Sequence, residues 1–219
     1  MKKMVVFDLD GTLLDTLGDL ADAGNFALAE QGFPVHETVK YKYFVGNGIP
    51  KLIERILPEG TTEQVRIETY DLFCSYYDNH MNDKTRPYKG ACELLSKLKE
   101  KGIISVVVTN KDHKFAVEMI RKYFGNAIEA VYGSIEGFPK KPDPYWVNTA
   151  IDDFGVKKED VIYVGDSGVD MITAENATVF SCGVTWGFRT EAELKENGAN
   201  QICESFDKLY EIIENRLLS

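Results

Sequence analysis

The 219-residue chain predicts an α/β protein, a doubly wound parallel sheet with an all-helical domain inserted near its start. Two observations carry this. Short apolar runs alternate with segments of helical spacing, the pattern that gives parallel strands with helices on both faces. One stretch, residues 15–85, breaks that alternation and shows helical spacing alone.

Met4–Phe7 is a short, wholly apolar run and reads as a central buried strand. The inserted segment spaces its apolar residues helically at Leu17, Leu20, Phe26 and Leu28, then Leu52, Ile53, Ile56 and Leu57, then Val65, Ile67, Leu72 and Phe73. Pro34, Gly46-Asn47-Gly48 and Pro58-Glu59-Gly60 punctuate it. Beyond Gly90, Leu94, Leu95 and Leu98 mark an amphipathic helix that Gly102 ends. There follow a strand at Ile103–Val108, a helix from Lys114 to Phe124, a strand at Val131–Gly133 and a helix at Pro144–Phe154. A strand at Val161–Val164, a helix at Val169–Ala174, a strand at Thr178–Val184 and a helix ending near Leu217 complete the chain. The core is therefore discontinuous, residues 1–14 and 86–219, and the helical domain is residues 15–85.

With 44% hydrophobic residues the chain can bury a real core, and its formal charge of -10 disfavours nucleic acid and anionic membranes as partners. The same charge repels phosphorylated ligands, so a phosphate site here must be locally positive. No stretch approaches the ~20 apolar residues of a membrane span. The run after Met1-Lys2-Lys3 stops at Asp8, too early for a signal peptide, so a cytoplasmic protein is expected, monomeric or homodimeric. Cys74, Cys92, Cys182 and Cys203 lack metal or redox spacing and read as buried free thiols. His36, His80 and His113 are scattered and suggest no metal site.

Four short pieces sit at or just beyond strand ends, where an open α/β sheet builds its site. They are Asp8-Leu9-Asp10-Gly11-Thr12, Thr109-Asn110, Lys141-Pro142 and Gly165-Asp166-Ser167-Gly168-Val169-Asp170. Asp8 and Asp10 alternate in extended chain and share a face, where a divalent cation relieves their repulsion. Asp10-Gly11 also fits a plain turn. Asp166 and Asp170 lie where a strand turns into a helix, a spacing that suits both metal binding and helix capping. Thr109 or Asn110 could cap the next helix or seat a phosphate at its N-terminus. Lys141, held out of helix by Pro142, can neutralise a phosphate, although Lys140 is an equal candidate by composition and a solvated lysine is the plain alternative. Lys89, Lys111 and Arg55 are lesser candidates for that role.

In this order the four pieces resemble the haloacid dehalogenase superfamily of phosphatases, and the helical insertion resembles its C1-type cap. The likeness runs from Met4 to the final helix and implies a Rossmann-like core. It implies magnesium as cofactor, bound by Asp8, Asp10 through its backbone carbonyl, and Asp166, with Asp170 beside them. Asp8 would be the nucleophile, Asp10 the general acid and then base, Thr109 the holder of the phosphoryl oxygens, and Lys141 the group that orients Asp8. Two departures stand out: the extra lysine at 140, and Gly168 and Val169 where related sequences often carry polar residues.

Finer stretches resemble phosphoglycolate phosphatases: Asp15-Thr16 with Asp19-Leu20-Ala21, Tyr43 to Gly48 followed by Leu52 and Arg55-Ile56-Leu57, Thr109-Asn110-Lys111, and Gly183 to Phe188. This implies hydrolysis of a small phosphorylated metabolite, 2-phosphoglycolate foremost, contacted by Thr109, Asn110, Gly46, Asn47, Gly48 and Arg55. A sugar-phosphate phosphatase, a pyrophosphatase or a β-phosphoglucomutase-like phosphomutase would share the chemistry. A signalling receiver domain would combine similar groups, but in a shorter chain with its acceptor Asp on a middle strand.

Overall fold

A computed structural model describes residues 2–218. Strand β1 (Met4–Phe7) leads straight into the site. The chain then forms β2 (Leu14–Asp15), which pairs antiparallel with β3 (Arg86–Pro87) where the chain leaves and re-enters the core. Between them lie only helices among the described residues: α1 (Leu17–Glu30), α2 (Tyr41–Phe44), α3 (Ile49–Ile56) and α4 (Glu63–His80), with a 3₁₀ turn at Thr38–Lys40. Asp19, in the first turn of α1, accepts the N–H groups of Lys84 and Thr85 at 2.8 Å each, and so ties the two crossing points together.

The rest of the core alternates α5 (Ala91–Glu100), β4 (Ile104–Asp112), α6 (His113–Tyr123), β5 (Ala130–Ser134), α7 (Tyr145–Phe154), β6 (Val161–Gly165), α8 (Gly168–Ala177), β7 (Phe180–Val184), α9 (Glu191–Glu196), β8 (Gln201–Cys203) and α10 (Phe206–Ile213). Six strands form one parallel sheet in the order β5-β4-β1-β6-β7-β8. This is the doubly wound, Rossmann-like α/β class with an inserted helical domain. The winding reverses at β1, which has β4 on one side and β6 on the other, and such a switch point opens a crevice at the strand ends.

Period-two alternation sorts the side chains. Met4 and Val6 pack with Val106, Val108 and Tyr163 against Val147, Ala150 and Ala174 of α7 and α8. Val5 and Phe7 turn the other way, with Val107, Ile162 and Val164, into a cluster shared with Leu94, Leu98, Phe115 and Leu209. Burying each large aliphatic side chain contributes about 1.5–3 kcal/mol, so a fully buried β1 is a rigid base for the aspartates at its carboxyl end. Phe7 lies opposite Val107 on β4 and Val164 on β6, so Asp8 is level with Val108 and Gly165, and Thr109 and Asp166 each stand one residue beyond it.

Several boundaries differ from the sequence reading. Strand β4 continues to Asp112 through a register shift after Val108, so Thr109 to Lys111 belong to the strand and do not precede the helix as a loop. Helix α8 runs on to Ala177 and closes with Thr178 in left-handed conformation (φ 60), so β7 starts at Phe180. Helix α9 and strand β8 are additional to the elements that the sequence pattern predicts. Only Leu194 of α9 is buried and β8 has three residues, so neither leaves a periodic signal. Cys182 and Cys203 are buried, but Cys92 is exposed and Cys74 half-buried. No helix among the described residues is long and apolar enough to cross a membrane.

Candidate active site

The site is organised around a buried lysine. Lys141, which follows β5 and precedes α7, is joined to Pro142 by a cis peptide bond. Its Nζ donates to Asp8 Oδ1 at 2.7 Å, to Asp170 Oδ1 at 2.7 Å and to the Tyr163 hydroxyl at 3.2 Å, so all three ammonium hydrogens are used. Lys140 is exposed. Lys141 is thus neither a surface lysine nor interchangeable with its neighbour. Asp8 continues β1, and its N–H donates to the Val164 carbonyl at 2.9 Å, which fixes it against β6.

Asp170 is fully buried and fully committed. Its Oδ1 takes Lys141 and the Tyr163 hydroxyl, and its Oδ2 takes the N–H (3.1 Å) and hydroxyl (2.6 Å) of Ser167. A carboxylate has about four lone-pair directions, and these four donors occupy them. Asp170 therefore holds Lys141 and the start of α8 in place. Asp170 thus takes its neutral donors from Ser167 and Tyr163 and none from residues 168 and 169.

Asp166 follows β6, and its Oδ2 accepts the Phe188 N–H at 2.7 Å. Its closeness to β1 depends on Gly11, which has φ 87 and a backbone so near that a Cβ there would collide with the Asp166 carboxylate. Gly165 likewise leaves room for Asp170.

Carboxylate oxygens of Asp8, Asp166 and Asp170 all lie within 4.8 Å of one another. Burial, then the Asp170 charge, push the Asp8 carboxyl up to about 7 despite the opposing pull of Lys141. Burial, then Asp170 and Asp8, raise Asp166 well above the carboxylate range. Burial would lower Lys141, but Asp170, Asp8 and Tyr163 outweigh it and hold the ammonium protonated. Among the described residues no hydrogen bond reaches Asp8 Oδ2 or Asp166 Oδ1. Two uncommitted oxygens on buried, mutually repelling carboxylates fit magnesium, which takes one or two carboxylates and keeps waters. With its oxygens spent, Asp170 fits as the support of that pair.

Asp10 is partly exposed and is paired with Lys111, whose Nζ lies 3.0 Å from Oδ1 and 3.3 Å from Oδ2. Lys111 also donates to the Tyr77 hydroxyl at 2.7 Å. Tyr77 belongs to α4, stacks on Phe73 and meets Phe115 of α6 edge-on at 5.2 Å, so it spans the helical domain and the core. Thr109 Oγ1 accepts the Lys111 N–H at 3.2 Å, which leaves its own hydroxyl proton free to donate. Asn110 works as a brace: its Oδ1 accepts the Lys141 N–H, and its Nδ2 donates to the carbonyls of Lys141 and Gly46.

Asp8, Asp10, Thr109, Lys111 and Asp166 line a pocket that Val45, Gly46, Gly48, Ile49 and Leu52 close from the helical domain. Two of the expected substrate contacts do not line it. Arg55 donates to the Phe44 carbonyl and to Asn47 Oδ1, both at 2.8 Å, so Arg55 and Asn47 buttress the loop from behind. From the core side Arg189 donates to the carbonyls of Lys42 and Val45 and faces Glu193. Lys111, Tyr77, Phe188 and Arg189 join the site from positions that the sequence motifs do not predict. Lys111 does lie within the Thr109-Asn110-Lys111 stretch and Phe188 at the end of Gly183–Phe188, whereas nothing in the sequence marks Tyr77 or Arg189.

Comparison with known proteins agrees with this architecture. Residues 5–184 match the family model of the haloacid dehalogenase-like hydrolases. A phosphoglycolate phosphatase of Vibrio parahaemolyticus is 32% identical, with 96% of each chain covered. One from Neisseria gonorrhoeae is 32% identical over 96% of this chain and 92% of its own. A crystal structure from Lactobacillus delbrueckii subsp. bulgaricus superposes with a TM-score of 0.92 at 30% identity, covering 97% of this chain and 99% of that one. That of a predicted phosphoglycolate phosphatase from Haemophilus somnus gives 0.89 at 26% identity, covering 96% and 97%. The chain belongs to the haloacid dehalogenase-like hydrolase family. It is an enzyme, similar over nearly its whole length to phosphoglycolate phosphatases.

Proposed function

We propose that this enzyme is a magnesium-dependent phosphomonoester hydrolase that works through a phospho-aspartate on Asp8, with 2-phosphoglycolate as substrate and residues 15–85 as its cap. The observation that carries the reading is the ammonium of Lys141, shared at 2.7 Å between Asp8 and Asp170, at the sheet end where Asp10 and Asp166 also meet. The relatives named phosphoglycolate phosphatase support the choice of substrate.

Lys141 holds Asp8 by Oδ1 and leaves Oδ2 uncommitted. It also offsets the charge that would otherwise repel a phosphate dianion. Bound magnesium, held by Asp8, Asp166 and the Asp10 carbonyl, would neutralise charge on the phosphoryl oxygens. One carboxylate oxygen of Asp8 attacks phosphorus, and the acyl phosphate bond forms as the ester P–O bond breaks. Asp10 gives its proton to the departing oxygen. It then takes a proton from water, which attacks the same phosphorus; the bond to Asp8 breaks, and inorganic phosphate leaves with both carboxyl groups restored. The free Thr109 hydroxyl proton serves a phosphoryl oxygen throughout. The helical domain excludes bulk water, which strengthens every charge interaction inside.

Phosphate release across a panel of 2-phosphoglycolate, pyrophosphate and hexose phosphates tests this, with magnesium and with excess chelator. The highest kcat/KM is expected on 2-phosphoglycolate, with activity lost in chelator. A preference for pyrophosphate or a hexose phosphate overturns the substrate, an isomerised phosphate ester as product overturns hydrolysis in favour of a mutase, and full activity in chelator overturns the metal.

A further inference from the structure

Three cations belong to the pocket or its floor, and their donors are spent differently. Lys141 uses all three hydrogens on Asp8, Asp170 and Tyr163. Arg189 is taken up by the carbonyls of Lys42 and Val45 and by Glu193. Lys111 serves the Asp10 carboxylate with one shared N–H and Tyr77 with a second, and its third N–H meets no acceptor among the described residues. The Tyr77 hydroxyl accepts from Lys111, and its own proton is likewise given to no described acceptor. Both side chains line the pocket and are almost wholly enclosed, Lys111 at 6% and Tyr77 at 0% exposure. Enclosed donors without acceptors are costly, so this corner is built to receive an acceptor from a ligand.

Its position says which part of the ligand. Asp10, which under the proposed function protonates the leaving oxygen, is the carboxylate that Lys111 touches. The group next to Lys111 is therefore one borne on the carbon of the departing oxygen or its neighbour. Resting on that function, we propose that Lys111 and the Tyr77 hydroxyl form the seat for the carboxylate of a short phosphorylated carboxylic acid. Lys111 supplies charge and one N–H, and Tyr77 supplies the O–H. Because Tyr77 comes from the helical domain, the seat is complete only when that domain covers the core. A neutral phosphate ester finds nothing there to pair with.

The test compares kcat/KM for 2-phosphoglycolate and for ethyl phosphate, which keeps the two-carbon skeleton and lacks the carboxylate, in wild type, Lys111→Met, Lys111→Arg and Tyr77→Phe, all with magnesium. Removing a hydrogen bond to a charged group lowers the 2-phosphoglycolate to ethyl phosphate ratio by about 10- to 100-fold in Lys111→Met, with partial recovery in Lys111→Arg and a loss of about 3- to 10-fold in Tyr77→Phe. A Lys111→Met variant that loses both activities in equal proportion overturns the seat and leaves Lys111 as a support of Asp10. If Lys111→Met does not fold, Tyr77→Phe decides alone, and an unchanged ratio there overturns the proposal. A wild-type enzyme that favours pyrophosphate or a hexose phosphate sinks the 2-phosphoglycolate reading separately, while a ratio that still falls in these variants keeps the carboxylate seat.

Discussion

The backbone N–H of Phe188 donates to Asp166 Oδ2 at 2.7 Å. One residue later Arg189 grips two carbonyls of the helical domain. A single short segment after β7 therefore orients the Asp166 carboxylate and ties the helical domain to the core. Asp166 is left with Oδ1 to offer, beside an Asp8 whose Oδ2 is also free.

The first prediction concerns pH and metal. Asp8 titrates at about 7 in the folded metal-free protein against an ordinary value of 3.8, so the folded state binds more protons than the unfolded state between those limits. Stability of the metal-free enzyme is thus penalised progressively as pH rises from about 4 to about 7, and the penalty is complete above that. A divalent cation removes it. The rise in Tm on adding magnesium should be larger at pH 8 than at pH 5, by roughly 4 °C or more for a chain of this size. Equal shifts at the two pH values would refute the site.

Asp8→Asn should abolish turnover while Tm above pH 7 stays equal or rises, because the amide removes a buried charge and Lys141 keeps Asp170 as its partner. Asp10→Asn should lower turnover about 10²- to 10⁴-fold. With p-nitrophenyl phosphate, whose leaving group needs no proton, Asp10→Asn should still form the acyl phosphate but hydrolyse it slowly. Intact-mass measurement should then find phosphorylated enzyme accumulating. Rapid turnover of p-nitrophenyl phosphate by Asp10→Asn would remove Asp10 from the second step.

Lys141→Ala should cost about 3–5 kcal/mol of stability as well as nearly all activity, since Asp8 and Asp170 lose the cation between them. Lys140→Ala, at an exposed position, should be near neutral in both. Denaturant unfolding of the two variants side by side checks this. An intact, fully stable Lys141→Ala protein would contradict the buried pairing.

This pair of lysines also shows what the sequence could and could not reveal. Buried parallel strands are uninterrupted apolar runs, so β1, β4 and β6 and the polar residues at their ends stand out in the chain. Adjacent lysines differ only in which one the loop turns inward, and that depends on Asn110, which holds the Lys141 backbone from 31 residues away. Lys111 reads as no more than a lesser candidate because Tyr77, its second partner, lies 34 residues upstream in the helical domain. Arg55 shows the same limit from the other side. A cation next to a glycine-rich loop suggests an anion site, but the orphaned carbonyls of the same loop compete for it and are closer.

The last prediction rests on that competition. The segment from Lys42 to Asn47 is held from two sides: Arg189 takes the carbonyls of Lys42 and Val45, and Arg55 takes the carbonyl of Phe44 and the side chain of Asn47. Burial, then the Arg189 charge, push Arg55 below the usual guanidinium value. Neither arginine needs to touch the substrate to matter, because the loop they hold presents Gly46 and Gly48 to the pocket. Arg55→Ala should therefore raise KM for 2-phosphoglycolate and for p-nitrophenyl phosphate in the same proportion, with kcat little changed. Arg189→Ala should do the same more strongly, since it also removes a tie between the helical domain and the core. Both act on one loop, so their effects should not add, with a coupling of about 0.5–3 kcal/mol in a double-mutant cycle on kcat/KM. A selective loss of 2-phosphoglycolate activity in Arg55→Ala, with the neutral ester spared, would return Arg55 to the substrate.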